Sequence, residues 1–554
     1  WGERDRSQGK GRGVGSRTWP YGLAVLALAV LVFAAAVGSD LPGWLDGPAT
    51  LAAEGVQDRL LLALLAVLLG MLAYGLARGR AVAYGGTLLV VAVGVVHSDR
   101  IDVGAALLAG GVVLALGWPR FHALPARARV RAAVRNGVIM IVAAGLYETM
   151  GISHGLPRLS WYSAIGLSAV AVLAPLLASA RPPAPGTDDD RGRVRRLVAD
   201  SRSETLAPFA LRTDKSYVFS ADGAAAIGYR VLFGVAVVGG DPVGDPDAYR
   251  DALSRFLRMC AHNGWRPASL GASAASLPLW REYGMREVGY GDEVLLDTAI
   301  FTLATRKMRN VRQAVQRTRN AGVGTRVVRA DELSDRQRGQ LAAISRRWLD
   351  GARERGFSMI LDGLLDGTQP DCVFVLAVTG CEEVTEEATG GHQERVVGFQ
   401  RYAVVGSGTA LSLDVMRREP DAPNGLNERM IAAAAEYASA QGMTAVSLNF
   451  AAFRALMDTK VGDRTAAQRV GYRVIHLLDP LIQVESLYQF NAKFRPRYVS
   501  RGVAFPSWFT VPALLVALLG LEFALPYDRH RVRHDPATET VAVEQAWDEH
   551  GIPA

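Results

Sequence analysis

Between residues 20 and 180 the sequence carries six long apolar segments, at about 21–37, 60–77, 81–96, 103–118, 134–150 and 161–178. Each runs to roughly 16 to 18 residues, near the shortest stretch that crosses a hydrocarbon core of about 30 Å. Lipid offers the backbone no hydrogen-bond partners, so segments of this kind are expected as an all-α bundle of six membrane helices. The charges between them agree. Lys and Arg gather in the N-terminal tail (Arg4, Arg6, Lys10, Arg12, Arg17), at Arg78 and Arg80, at Arg120, Arg127, Arg129, Arg131 and Arg135, and after the last segment at Arg181 and 191–196. The alternate loops hold only Arg59, Arg100 and Arg158 among Asp40, Asp46, Glu54, Asp58, Asp99 and Asp102. Six spans with both ends in the cytoplasm satisfy the positive-inside rule at every loop. A signal peptide is excluded, because its single apolar region would not be followed by five more. Near the end of the fifth segment, Glu148 and His154 are either a functional pair or solvated groups at the interface.

The 554 residues exceed one ordinary domain, and the polar remainder divides around the apolar block. Residues 1–19 read as a disordered basic tail, 181–200 as a linker from their Pro-rich start and Asp and Arg runs, and 527–554 as a disordered tail. A first residue Trp1 rather than Met leaves an upstream piece open. Residues 506–526 are apolar but carry Pro512, Gly520 and Glu522, which favours a helix on the membrane surface over a seventh span. Cys260, Cys372 and Cys381 have no metal-type spacing and no even framework, so reduced thiols facing the cytosol are expected. The formal charge of +7 suits a polyanionic partner, lipid or nucleic acid.

Across 201–505 strands alternate with helices in two α+β cycles, about 201–300 and 301–505. An acidic, Gly-Gly-containing insert at 381–394 separates two strands of the second cycle. Charges crowd the corner Ser412-Leu413-Asp414-Val415-Met416-Arg417-Arg418-Glu419-Pro420-Asp421-Ala422-Pro423-Asn424-Gly425-Leu426-Asn427-Glu428. It reads as a strand end, a turn with two prolines and Asn-Gly, and the start of an Ala-rich helix at 426–441. Such a corner offers unpaired N–H groups and a positive dipole end beside Asp414, Arg417 and Glu428, either as a site for a small charged substrate or as a salt-bridged, Asn-capped turn. The segment 305–321 carries Arg306, Lys307, Arg309, Arg312, Arg317 and Arg319. On a helix Arg309, Arg312 and Arg319 fall within about 80° of one another, a stripe that fits tRNA phosphates, lipid headgroups or a solvated face.

The corner motif Asp-x-Met-Arg followed by Pro-Asn-Gly and a Glu resembles the C-terminal domain of the phosphatidylglycerol lysyltransferases, the multiple peptide resistance factor type of aminoacyl-phospholipid synthase. Four further stretches fit in the family's order: Gly240-Asp241-Pro242-Val243-Gly244, Arg306-Lys307-Met308-Arg309, Ser447-Leu448-Asn449-Phe450-Ala451 and Leu487-Tyr488-Gln489-Phe490-Asn491-Ala492-Lys493-Phe494-Arg495-Pro496. Together they cover most of 200–505. Departures are Asn427 before Glu428, and Ala451-Ala452-Phe453 for a more usual Ala-Pro-Leu. The resemblance implies two tandem acetyltransferase-like (GNAT-like) halves. It further implies transfer of an aminoacyl group, lysyl first, from aminoacyl-tRNA to the glycerol hydroxyl of phosphatidylglycerol, lowering the membrane's negative charge and favouring resistance to cationic peptides.

Exchange of one ester for another needs no ATP, metal or other cofactor, and no Walker loop, His-Glu-x-x-His or histidine cluster stands in the sequence. It needs a site for the amino acid, a grip on the tRNA end, a groove for acyl chains and stabilisation of an oxyanion. Asp414 and Glu428 are the expected carboxylates for the ammonium groups, with Arg417 orienting them. Asp414→Ala is then expected to abolish transfer while leaving expression intact. Asn424, Gly425, Asp241 and Arg495 are expected to bind substrate. Asn449 donates to the tetrahedral oxygen or caps a turn, Lys493 serves a phosphate or oxyanion, and Arg495 lies beside it. Arg306, Lys307, Arg309 and Arg312 are the expected tRNA contacts. No residue is singled out as general base. The six spans either translocate the product or hold the enzyme, and with no lysyl-tRNA synthetase domain in these residues the charged tRNA is expected from elsewhere. Another amino acid, a diacylglycerol acceptor, or a non-catalytic lipid- or tRNA-binding relative remain as alternatives.

Overall fold

A computed structural model of the protein describes residues 18–37, 59–96, 98, 100–118, 121, 125, 127–154, 161–178, 180–201, 204–350, 360–380, 394–452 and 489–522. The expected basic and C-terminal tails, most of the acidic insert, Cys381 and the start of the 487–496 motif lie outside these residues.

The apolar block forms helices α1 (Trp19–Val37), α2 (Arg59–Ala77), α3 (Ala81–Val96), α4 (Ile101–Ala115), α5 (Arg127–His154) and α6 (Trp161–Leu177). Among the described residues three helical stretches, Trp19–Val37, Arg59–Ala77 and Arg129–Tyr147, are long and apolar enough to cross a membrane, while α3, α4 and α6 are shorter. This is a membrane protein. α1 and α2 pack closely because Gly22 has no side chain: a Cβ there would stand 2.7 Å from the Ala73 carbonyl oxygen.

The stretch expected as a linker contains helix α7 (Asp188–Asp200). The composition that suggests a linker is what caps this helix. Thr187 Oγ1 accepts from the Asp190 amide, the Asp190 carboxylate accepts from the Thr187 amide, and the Asp triplet sits at the positive end of the helix dipole.

From residue 216 the described chain builds one sheet. Its strands are β1 (Ser216–Phe219), β2 (Ala225–Leu232), β3 (Val235–Gly239), β4 (Val243–Gly244), β5 (Arg266–Ser273), β6 (Arg286–Asp297), β7 (Val323–Arg329), β8 (Cys372–Thr379), β9 (Arg395–Val405), β10 (Ala410–Arg418), β11 (Ala445–Ala452) and β12 (Arg497–Phe505). Their order is β1-β2-β3-β5-β12-β6-β11-β10-β9-β8-β7, with β4 beside β2. Each half contains one parallel pair, β3 with β5 and β10 with β11, joined by helices α8 (Tyr249–Asn263) and α12 (Leu426–Ala440). The halves are interlocked. β6, from the first, pairs with β11 of the second, and β12, from the end of the chain, returns to pair with β5 of the first. Neither half completes its own sheet, so a boundary near 300 divides the sequence but not the structure.

In the second half α10 (Arg309–Asn320) and α12 cover one face, with Val311, Val315, Met430 and Ile431 against Val375, Leu411 and Val446. α7, α11 (Asp335–Leu349) and the turn at 207–211 cover the other, with Val194, Phe209, Leu341 and Ile344 against Phe374 and Phe399. In the first half α8 packs Leu253, Phe256 and Leu257 on Ile227 and Ala236, with Trp280 of the short helix α9 (Leu277–Glu282) in the same core. The C-terminal helix α13 (Val511–Glu522) buries Leu514, Ala517 and Leu521 against Val235, Val237, Leu270 and Val503. Ahead of it the Phe509 ring stacks on Trp19 at the start of α1, with centroids 4.3 Å apart. A second link is Arg80, between α2 and α3, which donates to the carbonyls of Ala178 (2.9 Å) and Asn263 (3.3 Å).

Candidate functional site

The site region follows from two places where parallel strands part. β10 and β11 pair only over Ala410–Ser412 and Ala445–Ser447, and β3 and β5 part beyond Gly239 and Leu270. Divergence leaves backbone and side-chain polar groups in the gap, and both gaps hold residues that the sequence singles out.

Asp414 lies in the first gap, at a β-bulge between Leu413 and Val415. Its carboxylate is fully buried and ion-paired with Arg401, and accepts from the Leu361 amide at 2.7 Å. The Arg401 guanidinium continues to the carbonyls of Gly363 (2.8 Å) and Leu361 (3.1 Å). In this structure the Asp414 carboxylate, expected to face a substrate ammonium, meets the Arg401 guanidinium, and the pair fastens residues 361–363 to the sheet. Arg417 lies on the same face, buried, and donates to Ser345 of α11 rather than orienting Glu428. Asn449 sits across the gap in the left-handed region (φ 70°), and its side-chain amide donates to the Leu413 carbonyl at 3.0 Å. That bond ties β11 to β10 beside Asp414.

Glu428 is on the opposite face, in the first turn of α12, where Lys493 Nζ lies 3.0 Å from its carboxylate. Lys493 also rests over the Phe490 ring, which packs edge-on with Phe494. Asn424 is exposed just before the helix. Gly425 has φ 99°, and a Cβ on it would stand 2.8 Å from the Ala314 carbonyl of α10, so glycine lets the two helices pack closely here. Arg495 is exposed, with φ 54°. The structure thus joins Glu428 to Lys493 and Asp414 to Arg401, with Asn449 bonded to Leu413 next to Asp414, and the sheet separates the two pairs.

In the second gap Asp241 accepts from the Ser273 amide (2.9 Å) and from the Ser276 hydroxyl. Beside it lies a cluster that the sequence reading missed. Arg501 of β12 holds Glu204 (2.8 Å) and Glu293 of β6; Glu293 also accepts from Thr205 and, at 2.6 Å, from Ser447 of β11. Burial raises the Glu204 carboxyl to about 7; Arg501 opposes the shift, and Asp241 and Glu293 add to it. Arg501 is held above its ordinary value despite its burial, which opposes the shift, because Glu204 and Glu293 flank it. Buried polar residues therefore line one face across five neighbouring strands: Arg501, Glu293, Ser447, Ser412 and Arg401. The Ser412 hydroxyl is buried without a hydrogen-bond partner among the described residues. The available signal was a charge inside an apolar run, Arg401 in Val-Val-Gly-Phe-Gln-Arg-Tyr-Ala-Val-Val and Glu293 before Val-Leu-Leu.

The basic segment begins as a 3₁₀ turn, Arg306–Met308, and only then becomes α10. Arg306 and Lys307 are consequently off the helix. Arg309, Arg312, Arg317 and Arg319 are on it and exposed, and Arg312 also donates to the Thr305 carbonyl at 3.1 Å. Cys260 and Cys372 are unpaired and buried, and burial pushes the Cys372 thiol up to about 12.

Two halves, each opened between two parallel strands, with a polar stripe running between the openings, give a tandem GNAT-like fold. The family model described as "Phosphatidylglycerol lysyltransferase, C-terminal" matches residues 195–505, and the chain belongs to that family. The MprF-like domain protein Rv1619 of Mycobacterium tuberculosis is 39% identical over 396 residues, 70% of this chain and 77% of that protein. The lysylphosphatidylglycerol biosynthesis bifunctional protein LysX of Gordonia bronchialis is 35% identical over 438 residues; the match covers 76% of this chain but only 38% of LysX. Among solved structures, L-PGS from Bacillus licheniformis shares the fold with a TM-score of 0.52 at 20% identity, covering 61% of this chain and 98% of that one.

Proposed function

We propose that this protein moves a lysyl group from lysyl-tRNA to the glycerol hydroxyl of phosphatidylglycerol at the cytoplasmic face of a membrane. The observation that carries the reading is membership of the lysyltransferase family over 195–505. Three features support it. Glu428 holds an ammonium group at 3.0 Å, that of Lys493, and is thus a carboxylate suited to the cationic end of a lysyl donor. The exposed arginines of α10 form a single-signed surface for tRNA phosphates. Trp508, Phe509, Leu515 and Val516 leave an apolar surface bare around α13, beside the start of α1, so the catalytic part rests against the bilayer where its lipid substrate lies.

In this reading all six apolar helices cross the membrane, the shorter ones included, with both termini cytoplasmic. Asp414–Arg401 and Arg417–Ser345 position the gap between β10 and β11, while Glu428, Lys493 and Arg495 bind the donor. A lysylated headgroup carries less negative charge, which weakens the attraction of cationic peptides. The purified full chain, given lysyl-tRNA labelled on the lysine and vesicles of phosphatidylglycerol, is expected to place label in the lipid. No label in any lipid would refute the reading. Label from another aminoacyl-tRNA only, or on diacylglycerol, would replace the donor or the acceptor, and binding of both substrates without label would leave a non-catalytic relative.

A further inference from the structure

Ester exchange requires a group that takes the proton of the attacking hydroxyl and returns it to the leaving ribose oxygen. Among the described residues, the seam between the two halves contains a candidate for this task. Arg501 pairs with the carboxylates of Glu204 and Glu293, and a third carboxylate, Asp241, lies near Glu204. Glu293 is saturated: it accepts from Thr205, Ser447 and Arg501, and its side chain is 1% exposed. One oxygen of Asp241 is held by Ser273 and Ser276. Glu204 differs from both. Arg501 and the Leu206 amide (3.1 Å) fix its carboxylate in place, yet 18% of the side chain remains exposed, close to Asp241 of the second gap.

We infer that Glu204 is the proton-transferring residue of this enzyme, with Arg501 and Glu293 as its positioning residues. The inference rests on the aminoacyl transfer proposed above. In the forward step the acceptor hydroxyl oxygen forms a bond to the ester carbonyl carbon and its proton passes to the Glu204 carboxylate. The tetrahedral intermediate then collapses: the bond from carbon to the ribose oxygen breaks, and that oxygen takes the proton from Glu204. The carboxylate is regenerated, and no oxidant, metal or nucleotide is consumed. A carboxyl titrating near neutrality is matched to both halves of the exchange, because it neither holds nor refuses the proton strongly.

The test uses the full chain in phosphatidylglycerol vesicles with labelled lysyl-tRNA, comparing native protein with Glu204→Gln across about pH 5.5 to 9. The native rate is expected to rise along a limb centred near pH 7. Glu204→Gln should lower kcat by roughly 10²- to 10⁴-fold, leave the donor KM within a few-fold and lack that limb. Should it fail to fold, Glu204→Asp takes its place, with a displaced limb and an unchanged KM expected. A variant that transfers at the native rate, or keeps the limb unmoved, overturns the assignment of Glu204 alone. A native chain that labels no lipid overturns the transfer reading and this inference with it.

Discussion

Replacing Asp414 by Ala separates two roles for the charged corner. The Asp414 and Arg401 side chains are 0% and 1% exposed, and Arg401 also donates to the carbonyls of Leu361 and Gly363. Removing the carboxylate leaves a guanidinium buried without its counter-charge and the Leu361 amide without its acceptor. Breaking a buried pair from one side costs about 3–5 kcal/mol. For a domain of this size that lowers Tm by roughly 5 to 15 °C. Asp414→Asn, which can still accept from Leu361, should lose less, and Asp414→Ala combined with Arg401→Met should recover most of the loss because no charge is left unpaired. The melting of the full chain in detergent micelles, followed by tryptophan fluorescence, reads all three. A native Tm for Asp414→Ala together with lost transfer would refute the argument, since the carboxylate would then be free to act on substrate, as the motif alone suggests.

Three other outcomes are expected. Neutralising Arg309 and Arg312 should lower the slope of log affinity for tRNA against log salt by about 1.5, measured by filter binding at several salt concentrations; an unchanged slope places tRNA elsewhere. Gly425→Ala should destabilise by more than about 1 kcal/mol in the same melting assay, because φ 99° and the Ala314 carbonyl leave a Cβ no room. Glu204 is raised from its ordinary 4.5 to about 7, so the fold favours its protonated form. Its stabilising contribution is complete below about pH 4.5 and lost as pH rises to about 7, and Glu204→Gln should flatten that part of the dependence of Tm on pH.

Much of the organisation was legible because it depends on local pattern. Apolar runs of membrane length report their helices, and the alternation of strands with helices expected across 201–505 is what the structure shows. The five motifs identified the family by the residue types and order they share with it, and the corner motif sits where β10 ends and α12 starts. The helix at 188–200 was obscured for a local reason, since Asp and Arg runs that cap and line a short helix have the composition of a linker. β12 was obscured for a distant one: its partners β5 and β6 lie some two hundred residues earlier.

The sequence by itself determined the apolar helices, which follow from the length and composition of local runs, and the family, which the resemblance of its motifs carried. Only the tertiary structure decided which charges meet. It gave Asp414 to Arg401 and Glu428 to Lys493 on opposite faces of the sheet, and it brought Glu204, Glu293 and Arg501 together where the halves exchange strands. A charged side chain cannot be buried alone, and its partner is chosen by strand register rather than by distance in sequence.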